Sequence, residues 1–230
     1  MIFNGFSKKG IKFLKDLEKN NSKIWFEDHR YLWEEEIKKI NENFVIDMGE
    51  TLQILDPNIK YIPKVGKSLF KIYRDVRFSK DKTPMKSKIG IIFYSGETHR
   101  MQSSSFYMHY TKDSYFISTG VRNFKPELLK QYREYLKNDT NRIELYNILE
   151  DLKSKGYKLP PKKFKNIPKV LSEYKDDKYI ELSLYGSMYA YNEFSINNDF
   201  FNIVILDNSF KTYQDMYDLY IWVSRMIDFK

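Results

Sequence analysis

No cysteine occurs among the 230 residues. That removes disulfide staples, thiolate-bound zinc, iron–sulfur clusters and cysteine nucleophiles from consideration, and it fits a reducing compartment. Long apolar runs are missing too, since nothing approaches the roughly 18 residues of a membrane span. The opening Met1-Ile2-Phe3-Asn4-Gly5-Phe6 lacks the basic-then-apolar layout of a secretory leader, so a cytoplasmic setting without a membrane partner is expected. The glycine-rich signatures of P-loops, dinucleotide folds and hydrolase elbows do not occur, which leaves no cofactor to expect. The three histidines, His29, His99 and His109, form no pair at metal-ligand spacing, and no metal is expected either.

What is present is ample apolar material. The chain is 42% hydrophobic and 17% aromatic, and at this length folding hides roughly 70% or more of the extended surface. One substantial core and a single domain over residues 1–230 follow. Ser7 reads as an N-cap ahead of Ile11, Phe13, Leu14 and Leu17 at helical spacing. Ser22 opens a longer helical stripe from Trp25 and Phe26 through His29, Trp33, Ile37 and Phe44 to Leu52. From Leu69 the period changes to two, predicting strands over 69–74, 88–94, 105–111 and 114–120, with Lys112-Asp113 as a hairpin turn.

Pro126 then starts a helix, a second follows Asp139-Thr140, and Gly156 closes it. A lysine- and proline-rich connector over 157–174 leads to a strand over 179–184. The aromatic run of Tyr185, Tyr189 and Tyr191 stays unassigned, and helices are expected over 199–210 and 213–227. The fold class is α+β: a mostly antiparallel central sheet flanked by N-terminal, middle and C-terminal helices. Nothing in the sequence sets an oligomeric state.

Charge is unevenly placed. Between Lys60 and Arg100 stand eleven lysines and arginines against Asp75, Asp81 and Glu97, an excess of eight that equals the net charge of the whole chain. The segment reads as an anion-binding surface. Its densest part is Lys71-Ile72-Tyr73-Arg74-Asp75-Val76-Arg77-Phe78-Ser79-Lys80-Asp81-Lys82-Thr83-Pro84. Extended as a strand, it puts Phe70, Ile72, Arg74, Val76 and Phe78 on one face and Lys71, Tyr73, Asp75 and Arg77 on the other. Asp75 then orients Arg77, while Arg74 needs a partner because an unpaired buried guanidinium costs several kcal/mol. The turn at Ser79 to Pro84 can aim amides, hydroxyls and ammonium groups at one oxyanion.

The same residues carry a resemblance. Residues 71–86 resemble Arg-x-Tyr-Arg-Asp-x-Arg-Phe-Ser-x-Asp-Lys-x-Pro-Tyr-Lys, the signature of the bacterial domain-of-unknown-function family 2461. The likeness extends to Phe3-x-Gly5-Phe6 with Phe13-Leu14, to Asn20-Asn21 with Trp25-Phe26 and His29-Arg30, and to Ser105-Phe106-Tyr107. Met85 stands where that family usually has tyrosine, and Ser118-Thr119-Gly120 where it has a glycine-rich triplet. The resemblance implies a fold and no activity.

Three functional readings remain open on these residues. In the first, Arg74, Arg77, Lys80, Lys82 and Lys86 hold the phosphates of a nucleotide or nucleic acid, and nearby tyrosines stack on bases. In the second, the arginines position a small anionic substrate while Asp75, Asp81 or His109 moves protons. In the third, the Arg-Asp-Arg network is an internal brace of a partner-binding domain.

Overall fold

A computed structural model describes residues 2–229; Met1 and Lys230, the outer bounds of the expected domain, lie outside the described residues. The fold is α+β, built on a four-stranded sheet with strands in the order β1 (Ile89–Tyr94), β2 (Ser105–Tyr110), β3 (Ser114–Val121) and β4 (Met188–Ser195). Its hydrogen bonds make it an antiparallel meander. Ser95 pairs with Ser104 and Thr111 with Ser114, while Phe124 bonds Gly186 and Ile196 bonds Asp113 at opposite ends of the β3–β4 pair. The expected hairpin turn at Lys112-Asp113 joins β2 to β3.

The chain divides into two compact units, and β2, β3 and β4 contribute residues to both. The first holds the chain through Phe93 together with Tyr107–Ile117 and Glu193–Thr212. Its helices begin as expected: the Ser7 hydroxyl accepts the Gly10 N–H at the start of α1 (Lys8–Lys19), and that of Ser22 accepts the Trp25 N–H at α2 (Lys23–Asp28). The single long helix expected after Ser22 is broken at His29. A short α3 (Arg30–Leu32) continues through a π-helical stretch, Trp33–Lys38, into α4 (Lys39–Leu52).

The core of this unit is aromatic. Phe6 stacks on Phe200 at 4.5 Å and touches Phe3, Phe44 and Tyr110; each buried ring contributes about 2 kcal/mol. Most polar groups among them are matched, though the buried Asn41 side-chain oxygen has no partner among the described residues. The buried Asp47 carboxylate accepts the Ile2 and Phe3 N–H groups, each at 2.7 Å, and Asn41 donates to the Tyr110 hydroxyl.

The second unit holds Tyr94–Phe106, Ser118–Asn192 and the chain from Tyr213. Pro126 occupies the first turn of α5 (Pro126–Tyr135), and Asn138 caps α6 (Asp139–Ser154). One expectation fails here for a local reason. The predicted strand over 179–184 is a 3₁₀ turn, Ile180–Leu184, because the Asp177 carboxylate accepts the Tyr179 N–H and curls the chain. The strand lies instead in the unassigned aromatic run, where Met188 and Ala190 are buried and Tyr189 and Tyr191 half-buried. The C-terminal helices run later than expected, as α7 (Val204–Asp215) and α8 (Tyr217–Asp228), after a 3₁₀ turn at Asn198–Phe201.

Gly120 explains itself within this unit. It sits at φ 121°, and a Cβ there would lie 2.2 Å from the Met188 carbonyl oxygen, so the glycine lets β3 approach β4. Gly120→Ala is expected to cost about 3 kcal/mol or more from strain and overlap together, read as a lower urea midpoint at unchanged slope.

Candidate anion-binding site

The basic segment does not form the strand expected over 69–74. Phe70 donates to the Gly90 carbonyl and Ile92 to that of Ser68, but only isolated bridges, Leu69 with Ile91 and Tyr73 with Met85, interrupt an otherwise irregular extended chain. The chain then doubles back on itself. Lys86 donates to Ile72 and Arg74 to Pro84, and Pro84 has no N–H to return, so the ladder stops there. The result is a lobe over 72–86 with buried Ile72 and Met85 at its base.

The burial pattern does alternate as the strand reading required as far as Val76, with Ile72, Arg74 and Val76 more buried than Lys71, Tyr73 and Asp75; Phe78 departs from it and is 97% exposed.

The base is pinned by a residue the charge pattern never singled out. The Asn21 amide donates to the Met85 carbonyl and accepts the Met85 N–H, both at 3.0 Å. Beside it, Tyr73 packs edge-on against Phe26 at 5.6 Å and shares its hydroxyl with the Glu27–Arg30 pair. The only sequence signal for this contact was the position of Asn21, Phe26 and Arg30 within the family resemblance.

At the tip, Arg74 finds the compensation it needs: its guanidinium bonds the Asp81 carboxylate and the Thr83 hydroxyl. Asp81 also accepts the Thr83 N–H and hydroxyl, at 2.9 and 2.8 Å. The Thr83 N–H first, then Arg74 and the Thr83 hydroxyl, bring the Asp81 carboxyl down to about 2. Asp75 grips Arg77 with both oxygens, at 2.9 and 2.7 Å, and the Arg77 side chain holds the Asp75 carboxyl below its ordinary value. Both carboxylates are therefore charged acceptors at neutral pH.

Lys82 donates to the Val76 carbonyl and Lys86 to that of Lys71. Lys80 makes no hydrogen bond or ion pair among the described residues, and neither Lys80 nor Lys82 has a carboxylate partner there. The tip thus presents two ammonium groups beyond its two ion pairs, with the Arg77 guanidinium 5.9 Å from the centre of the exposed Phe78 ring.

His109 lies elsewhere, on the face of β2. It stacks on Phe116 at 4.8 Å, next to Tyr107, which meets Phe70 edge-on across Gly90. A Cβ at Gly90 would come within 3.1 Å of both Phe70 and the Tyr107 hydroxyl. The other histidines have local duties: His29 stacks on Trp25 at 4.0 Å, and His99 accepts the Met101 N–H. Among the described residues no three His, Asp or Glu side chains gather as a metal would require, and no helix is long and apolar enough to cross a membrane.

These features define an α+β protein with a basic, aromatic-tipped lobe at one end of its sheet strand β1. The chain matches, over residues 9–222, the family described as conserved hypothetical protein (DUF2461), and it belongs to that family. No curated protein matches it.

Proposed function

We propose that the lobe over 72–86 recognises phosphate-bearing ligands, and specifically unpaired nucleotides in a single strand. The observation that carries the reading is Phe78, a fully exposed phenyl ring flanked within five residues by Arg77, Lys80 and Lys82. Cations that track a phosphate backbone together with an aromatic face on which a base stacks are the two components of single-strand binding. Arg74, Asp81 and Thr83 brace the turn from within, and the Asp75–Arg77 pair keeps the guanidinium fixed while its outer edge stays open to a phosphate. In this reading Lys80 and Lys82 supply the charge, Phe78 the stacking, and Lys86 with Arg74 the support. Expected setting and partner go together: a protein of the bacterial cytoplasm meeting nucleic acid or nucleotides there.

The test is anisotropy of a labelled single-stranded 12-mer. Phe78→Ser is expected to weaken binding roughly five- to a hundredfold, the worth of one stacked base, with an unchanged melting temperature because the ring buries nothing in the folded chain. Equal affinity of the variant and the parent, or no binding by the parent, would discard the proposal.

A further inference from the structure

In the second unit, where α6 meets the 3₁₀ turn Ile180–Leu184, a pocket of about 100 Å³ opens to solvent. Its lining divides by chemistry. Leu149, Leu182 and Tyr185 are buried and supply an apolar floor. Around them stand Lys153, Lys162 and Lys178 with Glu150 and Glu181. Lys153 is paired with Glu150 and Lys162 with Glu181. Lys178 has no such partner within ion-pair distance; its ammonium instead sits 4.6 Å from the Tyr179 ring centre and 5.9 Å from that of Tyr146, rings that pack edge-on at 4.9 Å. The two tyrosine faces hold the ammonium at the pocket without neutralising it.

We infer that this pocket binds a small monocarboxylate with a compact apolar body, the carboxylate on Lys178 and the body on Leu149, Leu182 and Tyr185. One ammonium with no carboxylate inside ion-pair distance, held by Tyr179, selects a single negative charge, and the two glutamates disfavour a second. The volume sets the size: about 150 Å³ encloses a benzene ring, so this smaller space takes a short branched chain, with its head at the open mouth. The site stands on residues unrelated to the basic lobe.

Saturation-transfer NMR titrations decide it, with 3-methylbutanoate as probe, 3-methylbutanamide as the neutral isostere, acetate as the charge without the body, and inorganic phosphate. The acid is expected to saturate and to bind at least tenfold more tightly than the other three. Lys178→Gln, on an exposed side chain, is expected to erase the preference for acid over amide, and Lys80→Ala with Lys82→Ala to leave it intact. Absence of saturable binding, equal affinity for amide, acetate or phosphate, a preference that survives Lys178→Gln, or one lost with the lobe lysines would each overturn the assignment. Because the lobe variant is an arm of the same experiment, failure of this site and failure of the nucleotide reading are told apart.

Discussion

Arg142→Ala is expected to lower the melting temperature by roughly 6–12 °C, the equivalent of about 3 kcal/mol in a domain of this size. Arg142 is 1% exposed, and every guanidinium nitrogen is engaged. Nε and Nη2 donate to Asp177, Nη2 also to Asp139, and Nη1 to the Leu136 and Lys137 carbonyls where α5 gives way to α6, with the Tyr174 ring 4.7 Å away. Alanine leaves two carbonyls and two carboxylates without their guanidinium donor. Lysine retains the charge but not the planar fork that satisfies five acceptor contacts, so Arg142→Lys is expected to recover only part of the loss.

Acid provides a second readout of the same network. Burial alone pushes the Asp177 carboxyl up, but the Tyr179 N–H and Arg142 outweigh it and leave the group below its ordinary value. Its contribution is therefore fully present above the unfolded carboxyl pKa of about 3.9 and disappears as pH falls through the lower folded value. The gap between the melting temperatures of parent and Arg142→Ala should narrow as pH falls below about 4, leaving the part that the two carbonyl bonds supply. Parallel curves across that range would show that the guanidinium acts by its carbonyl bonds and packing alone.

The second large effect concerns salt. If six phosphates are engaged, affinity for duplex DNA falls roughly a thousandfold or more between 50 and 200 mM monovalent salt, while single strands, with a gentler dependence per phosphate, lose somewhat less. Lys80→Ala combined with Lys82→Ala removes two contacts and should flatten the log–log slope for a single strand by about 1.4. Phe78→Ser should shift the whole line to weaker binding at unchanged slope, since stacking releases no counterions. A parent protein whose binding ignores salt, or a double lysine variant with the parental slope, would remove phosphate recognition from the lobe.

Much of the architecture was legible because local physics decided it. Ser7, Ser22 and Pro126 start helices by satisfying or lacking backbone N–H groups, and the runs read as strands became β1, β2 and β3, with buried and half-buried residues alternating in β2 and at the start of β3 while β1 is buried on both faces. Where two local readings competed over 179–184, a side chain two residues away chose the turn. Ile180 and Leu182 alternate as a strand would, yet one Asp177 hydrogen bond curls them. The lobe was visible as a concentration of charge, and the Asp75–Arg77 pairing followed from their spacing. Its pairing with itself, and the clamp from Asn21 at a separation of 64 residues, left no mark in the charge pattern.

The two arginine questions divide in the same way. The need for a partner at Arg74 could be read from alternation, and Asp81 with Thr83 supplies it from within the same turn. That the buried guanidinium of this protein is Arg142 could not be read, because Asp177 lies 35 residues away and reaches it only through the folded path of the second unit. Composition, periodicity and capping chemistry were enough to determine an α+β chain with its excess charge in one segment, since those depend on neighbours in sequence. Which charges are sealed, which are braced and which face water depends on the burial of distant groups against one another, and only the folded chain decides that.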